Sequence, residues 1–209
     1  TELIAAAAGR VLAVELDDRL IPFLHERFAA QPNVTIVHGD ILKIDLSALT
    51  EDKPYKVVAN LPYYITSAVI RNLLESKSPP EVLVLTVQRE VAERMVAQPP
   101  NMSLLALGVQ FYCTGRIVAK VPAGAFYPAP KVDSAVVRLD RLLTPVAKDV
   151  EACRFFDVAR AGFSQPRKQL RNSLASGLQI APAAVEGWLA VAGIDPKRRA
   201  ETLSLAEWA

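Results

Sequence analysis

Short apolar runs alternate with longer amphipathic segments along most of the chain. Four runs predict buried strands, because each is almost continuously apolar and is bounded by turn-forming or polar residues; they cover residues 10–15, 34–38, 56–60 and 81–87. Segments with helical periodicity surround them, at residues 1–8, 20–30, 66–75, 88–96 and 102–111. Strands that alternate with helices predict βαβ units and a parallel sheet covered on both faces.

The pattern changes towards the C-terminus. Residues 115–121 and 132–139 predict an antiparallel pair joined by a proline-rich loop, and residues 144–149 predict a linker. Only helical periods follow, at residues 153–163, 166–178, 182–192 and 197–208. We therefore expect an α/β domain over residues 1–143 and a small all-helical domain over residues 149–209.

Length and composition fit this architecture. The chain has 209 residues, of which 51% are hydrophobic, enough for one ordinary domain and a smaller one. No apolar run reaches the roughly 18 residues that span a bilayer, and Thr1 begins no secretory leader. Cys113 and Cys153 stand far apart without metal-ligand spacing, so we expect reduced thiols and no metal site. The expected protein is cytoplasmic, monomeric and without membrane contact.

Charge is distributed unevenly. Residues 1–60 carry six basic and nine acidic side chains, whereas residues 116–209 carry fourteen basic and nine acidic ones. An acidic N-terminal stretch and a basic C-terminal half favour contact between the C-terminal half and a polyanion. Charge alone leaves variation in a solvated surface as an equally good explanation.

Polar side chains mark the ends of the first three predicted strands: Glu15, Asp40 and Asn60. In open α/β sheets ligands bind at the carboxyl ends of the strands, where an acidic residue can bind ribose hydroxyls. A second acid there can accept a hydrogen bond from an adenine amino group. Taken singly, Glu15 and Asp40 are more readily explained as turn formers or helix caps.

The pentapeptide at residues 60–64, Asn-Leu-Pro-Tyr-Tyr, is more specific. Methylation of a base amino group needs a flat face for the base and acceptors for the two amino hydrogens. The side-chain oxygen of Asn60 and the carbonyl of Leu61 can be those acceptors. Pro62 stiffens the turn, and Tyr63 can stack on the base. The alternative is an ordinary proline loop with packed tyrosines.

Several motifs together resemble the ribosomal RNA adenine N6,N6-dimethyltransferases. NLPYYIT at residues 60–66 looks like the catalytic motif of that family. The other motifs follow in the family's order: VELD at 14–17, HGD at 38–40, VPAGAFYPAPKVDSAVVRL at 121–139 and QPRKQLRNSL at 165–174. The stretch at 121–139 is the most specific, and it resembles the small-subunit dimethyladenosine transferase branch more than the erythromycin-resistance branch.

This resemblance covers nearly the whole chain and implies both fold and activity. The implied fold is a Rossmann-like class I methyltransferase sheet with a small all-helical RNA-binding domain at the C-terminus. The implied activity is transfer of methyl groups from S-adenosylmethionine to N6 of two adjacent adenines in small-subunit ribosomal RNA, during ribosome biogenesis. The implied partners are ribosomal RNA and the small ribosomal subunit.

The resemblance also implies site residues. Glu15 would bind the cofactor ribose and Asp40 its adenine amino group, with Leu16 and Ile41 on the two faces of the adenine ring. Asn60 would also lie at the cofactor. The residues implied at the target adenine are Asn60, Leu61, Pro62, Tyr63 and Phe126, the last stacking opposite Tyr63. The residues implied at the RNA backbone are Lys131, Arg167, Lys168, Arg171, Arg198 and Arg199, which their charge alone would place on a solvated surface.

The chain departs from the family at its start. The family has a glycine-rich loop after a first strand that lies between the strands at residues 11–15 and 57–60, and this chain begins after that loop. We expect Thr1 not to be the biological N-terminus, and cofactor binding by this chain is open.

Three other functions remain open for a chain of this pattern. One is a non-catalytic RNA-binding assembly or transcription factor on the same scaffold, as in the related mitochondrial transcription factors of the B type. Another is a DNA adenine methyltransferase, although those usually carry an acidic residue at the position of Asn60. The third is a plain nucleotide-binding module.

Overall fold

A computed structural model describes residues 1–146 and 150–209 of the chain, in two compact units. The first unit comprises residues 1–53 with 76–78, and the second comprises residues 54–75 with 79–209. The predicted boundary between residues 143 and 149 falls partly on residues 147–149, which lie outside the described residues. The division into domains at that point stays a prediction.

The first unit contains two parallel strands and three short helices. Its elements are α1 (Glu2–Ala7), β1 (Val11–Glu15), α2 (Ile21–Phe28), β2 (Val34–His38) and α3 (Leu46–Thr50). β1 and β2 run parallel, in a register that pairs Glu15 with His38. The helix α3 was not predicted. Its N-cap is Asp45, whose carboxylate accepts a hydrogen bond from the Ala48 N–H at 3.2 Å. The helix is too short to show periodicity.

The second unit contains a four-stranded mixed sheet. Its strands are β3 (Lys56–Asn60), β4 (Val82–Gln88), β5 (Cys113–Val121) and β6 (Ser134–Arg141), in the order β3-β4-β6-β5. β3 and β4 are parallel, and β6 is antiparallel to both β4 and β5. The helices between the strands are α4 (Thr66–Leu74), α5 (Arg89–Met95) and α6 (Leu104–Gln110). The predicted strands and the antiparallel pair are confirmed.

This arrangement brings four strand ends to one edge of the sheet. The carboxyl ends of β3, β4 and β5 lie there with the amino end of β6, because Gln88 and Val121 both pair with Ser134. Val121 and Ser134 also close the loop that joins β5 to β6. Asn60, at the end of β3, pairs with Thr86 of β4.

The C-terminal helices share a hydrophobic core with α6. They are α7 (Ala152–Phe163), α8 (Leu170–Leu178), α9 (Pro182–Val191) and α10 (Leu205–Trp208), with a 3₁₀ turn at Ala200–Thr202. Phe111, which follows α6, lies 4.7 Å from Phe155 and 5.2 Å from Phe156 between ring centroids. This cluster of aromatic rings packs the all-helical segment onto the preceding helix.

Two of the predicted helical segments were wrong in part. Residues 166–169 do not belong to α8; the N–H groups of Leu170 and Arg171 instead donate to the carbonyls of Arg198 and Pro196. Residues 197–208 are not one helix, because Arg199 and Leu203 have extended backbones and Ser204 starts α10 with a capping box to Glu207. Both differences come from contacts that join segments far apart in the sequence.

Strands β1 and β3 each have a single strand partner among the residues that the structure describes, namely β2 and β4. One edge of each strand is therefore unpaired there. In β3 the side chain of the central Val58 is 56% exposed. Among the described residues, no helix combines the length and the apolar character needed to cross a membrane.

Candidate functional site

In the first unit, Glu15 and Asp40 lie at the carboxyl ends of neighbouring parallel strands. The Glu15 carbonyl accepts a hydrogen bond from the Gly39 N–H at 2.9 Å, which places Asp40 beside the end of β1. Both carboxylates also stabilise their own turns: Glu15 Oε1 accepts from the Asp17 N–H at 2.8 Å, and Asp40 Oδ1 accepts from the Leu42 N–H at 3.0 Å. Neither turn uses the second carboxylate oxygen, although Asp40 Oδ2 lies 3.8 Å from Lys43 Nζ.

Apolar and polar groups beside these acids complete one end of the unit. Leu16 is 61% exposed, so its side chain offers an apolar face directly after Glu15. Ile41 is half-buried. The His38 ring nitrogen Nε2 lies 3.3 Å from the Leu16 carbonyl oxygen. Arg19, which hydrogen-bonds and pairs with Asp17, lowers the pKa of that carboxyl to about 2.

In the second unit, the Asn-Leu-Pro-Tyr turn follows β3 directly. The Leu61 N–H donates to the Thr86 carbonyl at 3.2 Å, and the Pro62 carbonyl accepts from the Ile65 N–H at 3.1 Å. The Thr66 hydroxyl, at the start of α4, also donates to the Pro62 carbonyl at 3.3 Å. These bonds fix the turn between β3 and α4.

The two acceptors proposed from the sequence are unoccupied within the described residues. The side-chain amide of Asn60 is exposed and has no hydrogen-bond partner there, and the Leu61 carbonyl oxygen likewise accepts no bond. The Leu61 side chain is buried, at 8% exposure. The turn therefore presents two oxygen acceptors, one from a side chain and one from the backbone, while its apolar side chain anchors it in the core.

Tyr63 is held at its hydroxyl group. Its phenol oxygen lies 2.8 Å from Oγ of Ser134, the first residue of β6. Ser134 is completely buried and Tyr63 is half-buried. The neighbouring Tyr64 is 86% exposed. The two tyrosines thus differ: Tyr63 is fixed against the sheet edge, and Tyr64 extends into solvent.

Phe126 lies on the loop between β5 and β6, at the end of a 3₁₀ turn formed by Ala123–Ala125. Asp133 closes the base of this loop, because its Oδ1 accepts from the Ala123 N–H at 3.1 Å. Its Oδ2 accepts from Arg89 Nη1 at 3.2 Å, and its carbonyl accepts from the Arg89 N–H at 3.0 Å. Phe126 is half-buried, whereas Tyr127 and Lys131 are exposed.

The predicted RNA-contacting cations fall into two groups. Arg167, Lys168 and Lys131 are exposed and have no ion pair within the described part of the chain. Arg171, in contrast, forms an ion pair with Glu186 of α9.

The last two arginines of the set also have acidic partners. Arg198 pairs with Glu207 and donates to the Thr202 carbonyl. The hydrogen bond that Arg198 donates to Glu207 lowers the pKa of Glu207 to about 2. Arg199 lies 3.9 Å from Glu201. Arg171 and Arg198 therefore have structural roles in holding the helical segment together.

Each unit thus brings its own predicted residues together. Glu15, Leu16, Asp40 and Ile41 cluster at one end of the first unit. Asn60, Leu61 and Tyr63 lie at the sheet edge from which the Phe126 loop projects. Sequence reasoning assigned no role to Ser134, Asp133 or Arg89. The signal for the first two was the motif at residues 131–134, but only the fold shows which groups they bind.

Both cysteines are free thiols. Cys113 is a buried free thiol and Cys153 an exposed one, and burial raises the pKa of Cys113 to about 12. Among the described residues, no three His, Cys, Asp or Glu side chains are grouped so that they could hold a metal ion.

Comparison with known proteins gives the same family over the whole chain. A family model described as ribosomal RNA adenine dimethylase matches residues 1–209. The chain is 51% identical over 209 residues to ribosomal RNA small subunit methyltransferase A of Dehalococcoides mccartyi (strain ATCC BAA-2266 / KCTC 15142 / 195), covering all of this chain and 72% of that protein. It is 44% identical over 211 residues to the protein of the same name from Clostridium botulinum (strain ATCC 19397 / Type A), covering 100% of this chain and 76% of that protein.

Two solved structures share the fold. The crystal structure of the 23S rRNA methyltransferase ErmE matches with a TM-score of 0.76 and 27% identity, covering 99% of this chain and 82% of that one. A dimethyladenosine transferase from Plasmodium falciparum matches with a TM-score of 0.76 and 24% identity, covering 99% of this chain and 83% of that one. The predicted α/β class I methyltransferase fold is confirmed.

Proposed function

The chain belongs to the ribosomal RNA adenine dimethylase family, and from that premise we propose how its residues methylate N6 of adenine in small-subunit ribosomal RNA. It is an rRNA adenine methyltransferase. The observation that supports the proposed site best is the turn after β3, where the Asn60 amide and the Leu61 carbonyl are free acceptors beside the fixed ring of Tyr63. We assign the target adenine to this turn.

The residues of the turn activate the amino group of the adenine. N6 is a poor nucleophile while its lone pair is conjugated with the ring. Asn60 Oδ1 and the Leu61 carbonyl accept its two hydrogens, which favours a pyramidal nitrogen and stabilises the positive charge that develops on it. No residue has to remove a proton before the attack, because the amine proton can leave afterwards. The main contribution of these residues is therefore placement of the nitrogen.

Two aromatic side chains hold the base. Tyr63 stacks on one face of the adenine, and Phe126 covers the other. Pro62 lacks an N–H and has a fixed φ, so it stiffens the backbone that carries Leu61 and Tyr63. A second methylation at the same nitrogen requires that the site also accept a monomethylated amine, which has one N–H left to donate.

The residues of the first unit fit S-adenosylmethionine, which supplies an electrophilic methyl group when bound. The second carboxylate oxygen of Glu15 is suited to ribose hydroxyls, and that of Asp40, which also lies 3.8 Å from Lys43 Nζ, is suited to the adenine amino group. The exposed Leu16 side chain offers an apolar face for the adenine ring, and Ile41 the opposite face. In both residues the other carboxylate oxygen accepts a backbone N–H, and this bond orients the carboxylate.

The C-terminal helical segment supplies RNA contacts. Arg167 and Lys168 are exposed cations without ion pairs among the described residues, so phosphates can bind them without breaking a protein contact. Lys131 extends this set, whereas Arg199 would exchange its contact with Glu201 for a phosphate. The paired arginines, Arg171 and Arg198, contribute to its positive field while stabilising the segment. We place the protein with ribosomal subunits in the cytoplasm.

Methyl transfer to ribosomal RNA tests the activity directly. The protein is incubated with S-adenosylmethionine and with small ribosomal subunits that lack adenine dimethylation, and the RNA is digested and analysed by mass spectrometry. We expect N6,N6-dimethyladenosine. If no methylated adenosine forms, while the protein binds both RNA and cofactor, the non-catalytic RNA-binding alternative is correct.

Calorimetry tests the cofactor residues separately. We expect Glu15→Gln to weaken S-adenosylmethionine binding by about 10-fold or more, the usual effect of losing a charged hydrogen bond. Asp18→Asn is the matched control, because Asp18 is an exposed acid close to Glu15 in the sequence. Equal affinities for both variants and the wild type would remove Glu15 from the cofactor site.

A further inference from the structure

The target-base aromatics Tyr63 and Phe126 are connected to two consecutive residues at the start of β6. Tyr63 is hydrogen-bonded to Ser134, and the loop that carries Phe126 is closed by Asp133. We propose that Asp133 and Ser134 are positioning residues, which set the distance and tilt between the two aromatic faces from one point of the sheet. This inference rests on the proposed function, because it needs Tyr63 and Phe126 at the target adenine.

The bond between Ser134 and Tyr63 restrains the ring. Tyr63 is attached to the turn at its Cα, and its phenol oxygen is held 2.8 Å from Oγ of Ser134. A ring held at both ends cannot swing about its side-chain torsions. Ser134 is completely buried, so its hydroxyl has no water to bind in place of the phenol. Together these contacts preorganise the stacking face before RNA binds.

Asp133 acts on the opposite aromatic through the backbone. Its carboxylate accepts the Ala123 N–H at the start of the 3₁₀ turn that ends at Phe126. The same residue is bonded at its carbonyl and its second carboxylate oxygen to Arg89, the first residue of α5. The loop base is therefore fixed to both β6 and α5. Arg89 Nε lies 3.8 Å from Oε1 of Glu93, one turn later in α5. This ion pair orients the Arg89 side chain.

Because Asp133 and Ser134 are adjacent, a shift at this point changes the position of both aromatic side chains. The base must fit between the faces twice, first with a free amino group and then with a monomethylated one. We therefore expect loss of either anchor to slow the chemical step and to raise the fraction of monomethylated product. Cofactor binding, which we assign to the first unit, should not change.

Removal of the phenol–hydroxyl bond tests the first anchor. In the protein that methylates RNA, Ser134→Ala and Tyr63→Phe should each lower kcat by roughly 10- to 100-fold, as small misplacements of reacting groups do. The double variant should lose no more than either single one, because both remove the same bond. Tyr112→Phe is the control, since it removes a phenol oxygen from a tyrosine that packs against the helical core and that we assign no role at the site, and it should keep the wild-type kcat.

A conservative replacement tests the second anchor. Asp133→Ala should lower kcat and increase the monomethyl product, whereas Asp133→Asn should restore most of the rate because an amide oxygen can still accept the Ala123 N–H. Asp157→Ala is the control: Asp157 forms a comparable exposed ion pair with Arg160, on α7. Thermal unfolding and cofactor affinity are measured for every variant.

The outcomes separate this inference from the proposed function. Wild-type protein that transfers no methyl group refutes the proposed function itself. If the wild type is active and Tyr63→Phe keeps a normal kcat, the anchoring role of Ser134 is overturned, and this result stands even if Ser134→Ala does not fold. Additive losses in the double variant, or equal rates for Asp133→Ala and the wild type, overturn it as well.

Discussion

At the scale of single residues, Glu15 and Asp40 combine a local structural role with a proposed ligand role. Each uses one carboxylate oxygen to accept an N–H two residues later, and for Asp40 this is an Asx turn. The structural explanation that the sequence left open is therefore correct for one oxygen of each. It does not compete with ligand binding, because the turn orients the other oxygen at the strand end.

Asn60 provides the sharpest residue-scale prediction. We expect Asn60→Ala to lower kcat for adenine methylation by roughly 100- to 1000-fold, the usual effect of removing one hydrogen-bonding group that acts on transition-state charge. The affinity for S-adenosylmethionine should change little, and the fold should not change, since the Asn60 side chain is exposed and has no partner within the described residues. Single-turnover kinetics and calorimetry measure the two quantities.

Asn101→Ala is the control for this prediction, because it truncates an exposed asparagine in a loop that we assign no role. It should keep the wild-type rate. A normal methylation rate in Asn60→Ala would show that the amide does not hold the target amino group. An equal loss in both variants would point to a general effect on the fold.

The sequence could indicate Asn60 and Tyr63 because their chemistry is local to one turn. It could not indicate the function of Ser134, whose partner Tyr63 lies 71 residues earlier in the chain. For the same reason the sequence could not indicate that Arg171 and Arg198, which it grouped with the RNA-binding cations, also form ion pairs. Their partners, Glu186 and Glu207, become neighbours only when the helices pack.

At the scale of elements, apolar runs bounded by turn residues predicted β1 to β4, and the stretches on either side of the proline-rich loop predicted β5 and β6. Periodicity did not predict the helix boundaries that are set by hydrogen bonds between distant segments. The predicted helix started at residue 166. In the structure α8 begins only at Leu170, whose N–H donates to the Arg198 carbonyl. The helix α3 was missed because its five residues are shorter than two helical turns.

The contact between α7 and α8 gives an element-scale prediction. A Cβ atom added at Gly177 of α8 would lie 2.6 Å from the Cα and 2.9 Å from the carbonyl oxygen of Ala161 on α7. Backbone atoms cannot move aside as a flexible side chain can. We expect Gly177→Ala to lower the free energy of unfolding by about 1–3 kcal/mol through overpacking, measured by chemical denaturation.

Gly187→Ala is the matched substitution in the next helix. Gly187 lies in α9, where an added Cβ has no neighbour within 4 Å. Since alanine favours a helix interior over glycine by about 1 kcal/mol, this variant should be more stable than the wild type. A lower free energy of unfolding for Gly177→Ala together with a higher one for Gly187→Ala supports close packing of α7 on α8. A stabilised Gly177→Ala would contradict it.

At the scale of the whole molecule, charge is distributed unevenly along the chain. The acidic stretch at residues 1–60 contains the two carboxylates that we assign to the cofactor. The basic stretch at residues 116–209 contains the exposed cations that we assign to RNA. Net charge alone, +2, would not have revealed this. RNA affinity should therefore depend on specific unpaired cations of the helical segment rather than on the total charge.

The salt dependence of RNA binding tests that view. Each phosphate contact that is lost reduces the slope of log K against log [salt] by roughly 0.7–0.9, so Arg167→Ala with Lys168→Ala should reduce it by about 1.5. The control combines Arg27→Ala with Lys53→Ala, which removes the same charge from exposed cations that already pair with Glu2 and Glu51. That pair should leave the slope unchanged. If both double variants reduce the slope equally, RNA responds to net charge, and the helical segment is not a specific RNA-binding surface.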